Sequence, residues 1–562
     1  MEAGLRTPAG AKVPRAWEGS PGDGHDQPEK KRSWGRTVSQ TVLNSDAQVA
    51  TKKEEGDERV LLRGIFAIGK KSYDVRLTDS KLVWRPILPE NPSGEDLNLN
   101  HQHKEECLDL KDIFAVKLKR RCLGGQHKGG TLLGITIFLC VQKGHKLKDS
   151  TVNLSNTSED HCNLWFKHLK GILNGFPNRP KSLKILINPH SHKREATNIY
   201  YGEVEPLFKF ADIQTDVTVT NYEGHALCLL KEFNHQDFDG VVCVGGDGFT
   251  NEVAHGLLLR AQMDAGRSMD SVFTPVRASL PLGIIPAGST NVLACSLYGI
   301  KHPVTAALHI IMGTFQPVDV CTFSSNSQLL RFGFSSMFGF GGRALALAEK
   351  NRWMPPGQRK DFAVVRALAK LKAESCDLSF LPAFDSPKQS QQGRRKKKNE
   401  QIQDFDNKDQ WQCIRGDFLN VSIMAIPCLC SMAPQGLAPN TRLNDGIMAL
   451  ILVRDASRAE FVKHLKRYTN AHNQFDFPFV ETYSIQEIKV CPSSRSTRES
   501  DAADEREELH SPSSEVMFPW NVDGYLMEVA SEVHIRLHPQ LINMYGRIIE
   551  ELSESKVRCT CL

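Results

Sequence analysis

The sequence predicts an α/β plus all-β chain with three ordered regions, and three patterns carry that prediction. Between residues 60 and 175, short strand-like runs are closed by one helical run. From 182 to about 318, β-branched strands alternate with amphipathic helices, the pattern of a parallel sheet covered by helices. Beyond 318 the sequence turns strand-rich, with few helices. A length of 562 residues accommodates two to four domains of roughly 100–200 residues each.

In the first region "RVLLRGIFAIG", "SYDVRLTDSKLVWRP", "DLKDIFAVKLKRR" and "TLLGITIFLCV" read as strands separated by turns. "SEDHCNLWFKHLKGIL" reads as a helix, with Ser158 as its N-cap and Leu164, Phe166 and Leu169 on its apolar face. Strands followed by a helix carrying Trp165 resemble a pleckstrin-homology domain, here 59–176. That resemblance implies a phosphoinositide head group held by Lys70, Lys71 and Arg76. Read as charges alone, the same residues are solvated turn cations.

In the second region, 181–318, "SLKILINP", "TDVTVTN", "FDGVVCVGGDG" and "LPLGIIPAGST" are the strands. "IYYGEVEPLFKFA", "EGHALCLLKEF" and "FTNEVAHGLLLRA" are the helices between them. The third region, 319–550, is mostly β, with a helix at "FAVVRALAKLKA". Segments 1–58, about 387–408 and 492–515 are polar and aperiodic, so they read as a disordered tail and two disordered insertions, and 551–562 as a flexible tail.

The chemistry gathers at strand ends. Gly245, Gly246, Asp247 and Gly248 end one strand and begin a helix. Glycines there let backbone approach a phosphate, and an Asp can accept a proton from an attacking hydroxyl. The plainer reading is a tight turn with a structural Asp cap. Gly288, Ser289 and Thr290 end a second strand, and Asn188 and Pro189 end a third. In a doubly wound sheet such turns share the carboxyl edge, where ligands bind.

The motifs "INP", "GGDG", "PAGST" and "NVDG", in this order, closely resemble the diacylglycerol-kinase catalytic superfamily, which includes sphingosine and ceramide kinases. The module at 59–176 is similar to that of the ceramide kinase branch, and "EKNRW", "FGFGG", "GLAPNTRLNDG" and "NQFDFPFVE" resemble its ceramide kinase-like members. The resemblance implies an α/β nucleotide-binding domain, a β-sandwich lipid-binding domain, and phosphorylation of a lipid hydroxyl with ATP and Mg²⁺. It makes Asp247 the general base, with Gly245, Gly246, Gly248 and Arg343 beside the substrate. It gives nucleotide contacts to Asn188, Pro189, His190, Ser191, His192, Glu252, Gly288, Ser289, Thr290, Arg352, Arg359, Asp523 and Gly524. Thr220, Asn221, Tyr222 and Glu223 also fall on nucleotide positions, although these residues differ from the usual ones. No protein-held metal is expected.

Three departures weigh against ordinary activity. Ser191 and His192 stand where the family has two glycines, and a side chain there costs about 1–3 kcal/mol in strain or displaces the phosphate. Lys193 and Arg194 can compensate as charges. Arg343 stands where sphingolipid kinases carry an Asp for the substrate head, which suits a phosphate or carboxylate better than a neutral diol. Tyr525 follows Asp523-Gly524 where many members have Glu. Asn291, where ceramide kinase has Asp, is common in the superfamily. The expected function is a lipid- and nucleotide-responsive regulator of sphingolipid-linked signalling and cell survival with weak or no ceramide kinase activity. The alternatives are an active kinase of a more acidic lipid and a non-catalytic interaction scaffold.

Composition and local addresses bound the rest. A net charge of +5 over this length calls for no specific nucleic-acid partner. The opening residues show no secretory h-region, no apolar run approaches the roughly 18 residues of a membrane span, and the 15 cysteines read as reduced thiols. The basic clusters Lys117, Lys119, Arg120, Arg121 and Arg394, Arg395, Lys396, Lys397, Lys398 are of nuclear-import type, importin ligands if accessible; the first equally suits a basic strand edge. Cys559, with Leu562 at the end, fits a geranylgeranyl-type prenylation box. The expected locations are cytoplasm, nucleus, possible nucleolus, and the surfaces of Golgi and endoplasmic reticulum membranes.

Overall fold

The computed structural model describes residues 59–87, 105–121, 130–191, 193–267, 274–383, 411–470, 473–493 and 517–547. His192, the basic cluster 394–398 and Cys559 lie outside them, as do nearly all of the segments read as disordered. The chain divides into two compact units. The first holds the described residues up to Leu108 with Leu118–Ile135 and Asn153–Trp165, and the second holds the remainder.

The first region forms a seven-stranded antiparallel sheet closed by the helix Glu159–Asn174. Val60–Ile68 pairs with Lys71–Thr78 in a hairpin, and Gly69 takes a φ of 64° in its turn. Ser158 caps the helix as its spacing predicts, its Oγ accepting from His161 N at 3.3 Å. The apolar face differs from the expected one. Cys162, Trp165 and Leu169 are buried, whereas Leu164 is exposed. The i, i+3, i+7 spacing selects Trp165, and Phe66 packs edge-on against its ring at 5.1 Å. Gly64 lies directly under the His161 ring, where a Cβ would meet it at 2.5 Å.

The basic run 117–121 is the last part of a paired strand, Ile113–Arg121. Lys117 is ion-paired to Asp212, and Arg120 donates to Gly130 O at 3.1 Å. These pairings match the strand-edge reading of the cluster.

The second region supplies four parallel strands, Gln214–Val219, Ser182–Ile187, Gly240–Gly245 and Leu282–Pro286, adjacent in that order. Ile185, Val242 and Ile284 are fully or almost fully buried, as strands covered on both faces require. The helix Asp247–Asp264 is buried on most of its circumference.

Val533–Tyr545 lies beside Leu282–Pro286 and joins these strands to the antiparallel ones of the third region, so a single fourteen-stranded sheet runs through both. The antiparallel part has its own core around Phe323, Phe380, Trp520 and Ile535. Two consecutive helices, Phe340–Lys350 and Pro356–Ala369, pack on this part. Among the described residues no helix is long and apolar enough to cross a membrane, and no cysteine is in a disulfide.

Candidate nucleotide and phosphate site

Parallel register brings the predicted strand ends to one edge. Asn188 N donates to Val244 O at 3.1 Å, Ala287 N to Gly245 O at 2.9 Å, and Thr220 N to Ile187 O at 2.8 Å. The two glycine turns then touch. A Cβ on Gly288 would lie 2.4 Å from Gly246 Cα, so a side chain there would drive the turns apart.

Asp247 opens the helix Asp247–Asp264, and its carboxylate faces the neighbouring turn. Oδ2 accepts from Asn291 N at 2.9 Å and Oδ1 from Val292 N at 2.6 Å. Burial pushes its pKa up, opposed by these two N–H groups and by the nearby Lys360 ammonium. Each oxygen retains acceptor capacity for a further proton donor. Asp247 therefore combines the cap role with a geometry open to base chemistry.

Asn291 closes the second turn on itself. Gly288 N donates to its Oδ1 and its Nδ2 donates to Gly288 O, both at 2.8 Å. Its φ of 58° is left-handed, which Asn tolerates. An aspartate could not supply the second bond. Lys301 donates to Gly288 O, and Lys360 Nζ lies 2.5 Å from Ser289 Oγ and 3.2 Å from Thr290 Oγ1. Neither lysine carries a sequence signal, because the partners are brought together only by the fold.

The loop after Ile187 is a series of turns. His190 N donates to Asn188 Oδ1 at 2.9 Å, Ser191 N to Asn188 O at 3.3 Å, and Arg194 N to Ser191 O at 2.9 Å. Among the described residues of this loop, the left-handed conformation falls on Arg194, with φ 65°, and not on the buried Ser191. The strain expected at Ser191 is thus moved along the loop.

Several other predicted contacts are engaged within the protein. Glu252 Oε1 accepts from Ala226 N at 3.1 Å and Leu227 N at 3.3 Å, fixing the start of the helix His225–Glu232. Tyr222 is exposed and stacks on His225 at 4.7 Å, and Glu223 pairs with Arg352 at 3.1 Å. Arg359 Nε is buried with no hydrogen-bond partner among the described residues.

Asp523 is the most heavily engaged. It accepts from Phe334 N at 2.7 Å, Ser335 N and Ser335 Oγ at 2.8 Å, and Asn251 Nδ2 at 2.9 Å. Burial pushes it up to about 6 in spite of these donors. Gly524, at φ 82°, sets the turn close to Gly248 and Asp247. Tyr525 lies under the Arg331 guanidinium at 4.0 Å, a packing role for a residue read as a lost contact.

Arg343 is engaged by other partners. Its Nη1 pairs with Glu374 at 2.5 Å and its Nη2 donates to Lys372 O at 2.6 Å. No group of three or more His, Cys, Asp or Glu among the described residues could hold a metal ion.

Comparison with known proteins agrees with this architecture. Residues 182–323 match the diacylglycerol kinase catalytic domain, 62–169 the ceramide kinase PH domain, and 334–562 the ceramide kinase C-terminal domain. These are the domains of the lipid kinase family. The human ceramide kinase-like protein is 60% identical over 89% of this chain and 92% of its own length. Mouse ceramide kinase is 33% identical over 79% of this chain and 90% of its own length. A solved putative diacylglycerol kinase of Bacillus anthracis str. Sterne covers 66% of this chain and 98% of its own at 15% identity, with a TM-score of 0.43. The chain belongs to the ceramide kinase family, among its ceramide kinase-like members.

Proposed function

We propose that this protein is a lipid- and nucleotide-responsive regulator of sphingolipid-linked signalling and cell survival, with weak or no ceramide kinase activity. The carrying observation is that Asp247, Ser289 and Thr290 already have protein partners at the strand edge. Burial raises the Asp247 pKa in spite of the two backbone donors, so base strength is retained; what those donors limit is the number of acceptor sites left open to a lipid hydroxyl.

The edge is suited to holding ATP. The turn at Asn188, the touching glycines and the two hydroxyls stand at the same strand edge, and Lys301 and Lys360 bring cations to the Gly288–Thr290 turn. Asp523 is occupied by four donors, and among the described residues no cluster of three or more His, Cys, Asp or Glu stands near Asp247 to complete a cage. Mg²⁺ would therefore arrive on the nucleotide phosphates, where it neutralises charge, rather than in a protein cage. Asp247 would orient a lipid hydroxyl, and the packed glycine turns would exclude side chains from that approach.

One observation favours a second reading, an active kinase of an acidic lipid. A groove of about 320 Å³ between the helices Phe340–Lys350 and Pro356–Ala369 has Leu347 and Ala367 on its floor, and Arg343, Lys350, Arg366 and Lys370 line it too. Glu374 neutralises Arg343, so the other three cations would have to recognise the head group.

The test offers labelled ATP with Mg²⁺ and a panel of neutral and acidic lipids to the full chain and to Asp247→Ala. Absence of ceramide phosphate, with nucleotide-dependent stabilisation, is the proposed outcome. Product from an acidic lipid that vanishes in Asp247→Ala would establish the second reading instead. Phosphoinositide binding through Lys70 and Lys71, both exposed, accompanies the proposal. Charge reversal of the two lysines should abolish vesicle binding. Nuclear entry through 394–398 and prenylation at Cys559 remain sequence-based parts of the same proposal.

A further inference from the structure

We propose that Lys360 is a phosphate-contacting residue through which this site distinguishes a nucleoside triphosphate from a monophosphate, taking over charge compensation that the 188–194 loop, built without adjacent glycines, supplies poorly. The inference rests on the reading that the strand edge binds ATP, and it adds a residue and a selectivity to that reading.

The geometry comes first. Lys360 begins the second turn of the helix Pro356–Ala369, and its ammonium reaches across to the turn that follows Leu282–Pro286. There Nζ lies 2.5 Å from Ser289 Oγ and 3.2 Å from Thr290 Oγ1. An ammonium has three donors, so one is left after these two contacts. The two hydroxyls also lie 3.5 Å from each other, so with one donating to the other, one O–H is left to donate outwards. The result is a compact array of one positive charge and an outward hydroxyl donor beside Asp247.

The local charge is unbalanced. The charged groups acting on Lys360 are Asp247, Arg359 and Lys301. One carboxylate therefore faces three cations. Arg359 Nε is also buried with no acceptor among the described residues. Lys360 is exposed, so a phosphate can reach its ammonium directly, and neighbouring atoms desolvate it enough to draw it below the ordinary lysine value, which such a phosphate would oppose. A lysine is a point charge able to follow a phosphate on a flexible stem, whereas the family-type loop relies on backbone amides at close approach.

The rival account makes Lys360 a tether that pins its helix to the Ser289 turn. The two accounts separate by ligand. Full-length wild type, Lys360→Met and Lys360→Arg are titrated with ATP, ADP and AMP in the presence of Mg²⁺, following thermal stabilisation and intrinsic fluorescence. The proposal predicts that Lys360→Met weakens ATP by roughly tenfold, the size of one charge-assisted contact, and leaves AMP within about twofold. Lys360→Arg should recover most of the ATP affinity, and the ligand-free melting temperature should change little. Equal loss of ATP and AMP, or a large fall in ligand-free stability with unchanged nucleotide preference, would establish the tether and overturn the proposal. Unchanged ATP affinity in Lys360→Met would overturn it as well. If wild type binds none of the three nucleotides, the underlying ATP reading fails, and the inference fails with it.

Discussion

Asn251 and Asp523 stand 272 positions apart in sequence and share a hydrogen bond of 2.9 Å. The bond links the helix that starts at Asp247 to the turn after Phe518–Val522. Phe334 N, Ser335 N and Ser335 Oγ converge on the same carboxylate. The nucleotide edge is therefore stabilised by a carboxylate whose first duty is structural. Asp523→Ala would leave two buried N–H groups without an acceptor. It should lower unfolding stability by about 3 kcal/mol in denaturant melts, at the upper end for orphaned buried donors. A loss below about 0.5 kcal/mol would mean that the network contributes little.

Acid should destabilise the fold through histidines kept neutral. Burial, helped by Arg331, draws His255 down to about 3, and its Nδ1 accepts from Phe332 N at 3.2 Å. A folded pKa below the unfolded value of about 6.5 means the unfolded chain binds the extra proton. Stability from this group is full above about 6.5 and is lost as pH falls towards 3. Asp523 acts in the opposite sense. Pushed up to about 6, it favours the folded state when protonated, so its contribution falls as pH rises from about 4 to 6. The histidine effect spans the wider range, so the melting temperature should fall between pH 7 and pH 4. In His255→Gln, whose amide oxygen can still accept from Phe332 N, the fall should be shallower.

The glycines of the edge should not respond alike. Gly288→Ala places a Cβ 2.4 Å from Gly246 Cα and should cost about 1–3 kcal/mol, with loss of nucleotide-dependent stabilisation. At Gly248 the nearest atom to an added Cβ is 3.6 Å away, an ordinary contact, so Gly248→Ala should fold with near wild-type stability. Equal melting temperatures for the two variants would contradict the close approach of the turns.

Arg194 carries a left-handed φ of 65° at the end of the phosphate loop. Arg194→Gly removes the Cβ penalty and should raise stability by about 1 kcal/mol, read by chemical denaturation. Ser191→Gly should bring no such gain, because Ser191 is not left-handed.

Much of this architecture was legible in the sequence because glycines and β-branched runs mark strand ends. "GGDG" and "PAGST" identify two turns that do converge, and Ser158 marks a helix start that holds. What escaped has a common physical origin. Lys360 meets Ser289 across 71 positions, and Asn251 meets Asp523 across 272, so no local pattern contains either pair. The charge of Arg343 was visible, but its partner Glu374 was not, and the pair changes what that charge can do. Leu164 is apolar yet exposed, because the buried stripe of its helix is phased by Trp165 and hydrophobicity alone does not fix that phase.

The account is tested most directly by phosphate transfer from labelled ATP–Mg²⁺ to ceramide, with purified wild type and Asp247→Ala side by side and nucleotide-induced thermal stabilisation measured on the same samples. The prediction is stabilisation of the wild type by ATP with little or no labelled ceramide phosphate. Abundant ceramide phosphate from the wild type that disappears in Asp247→Ala would contradict it.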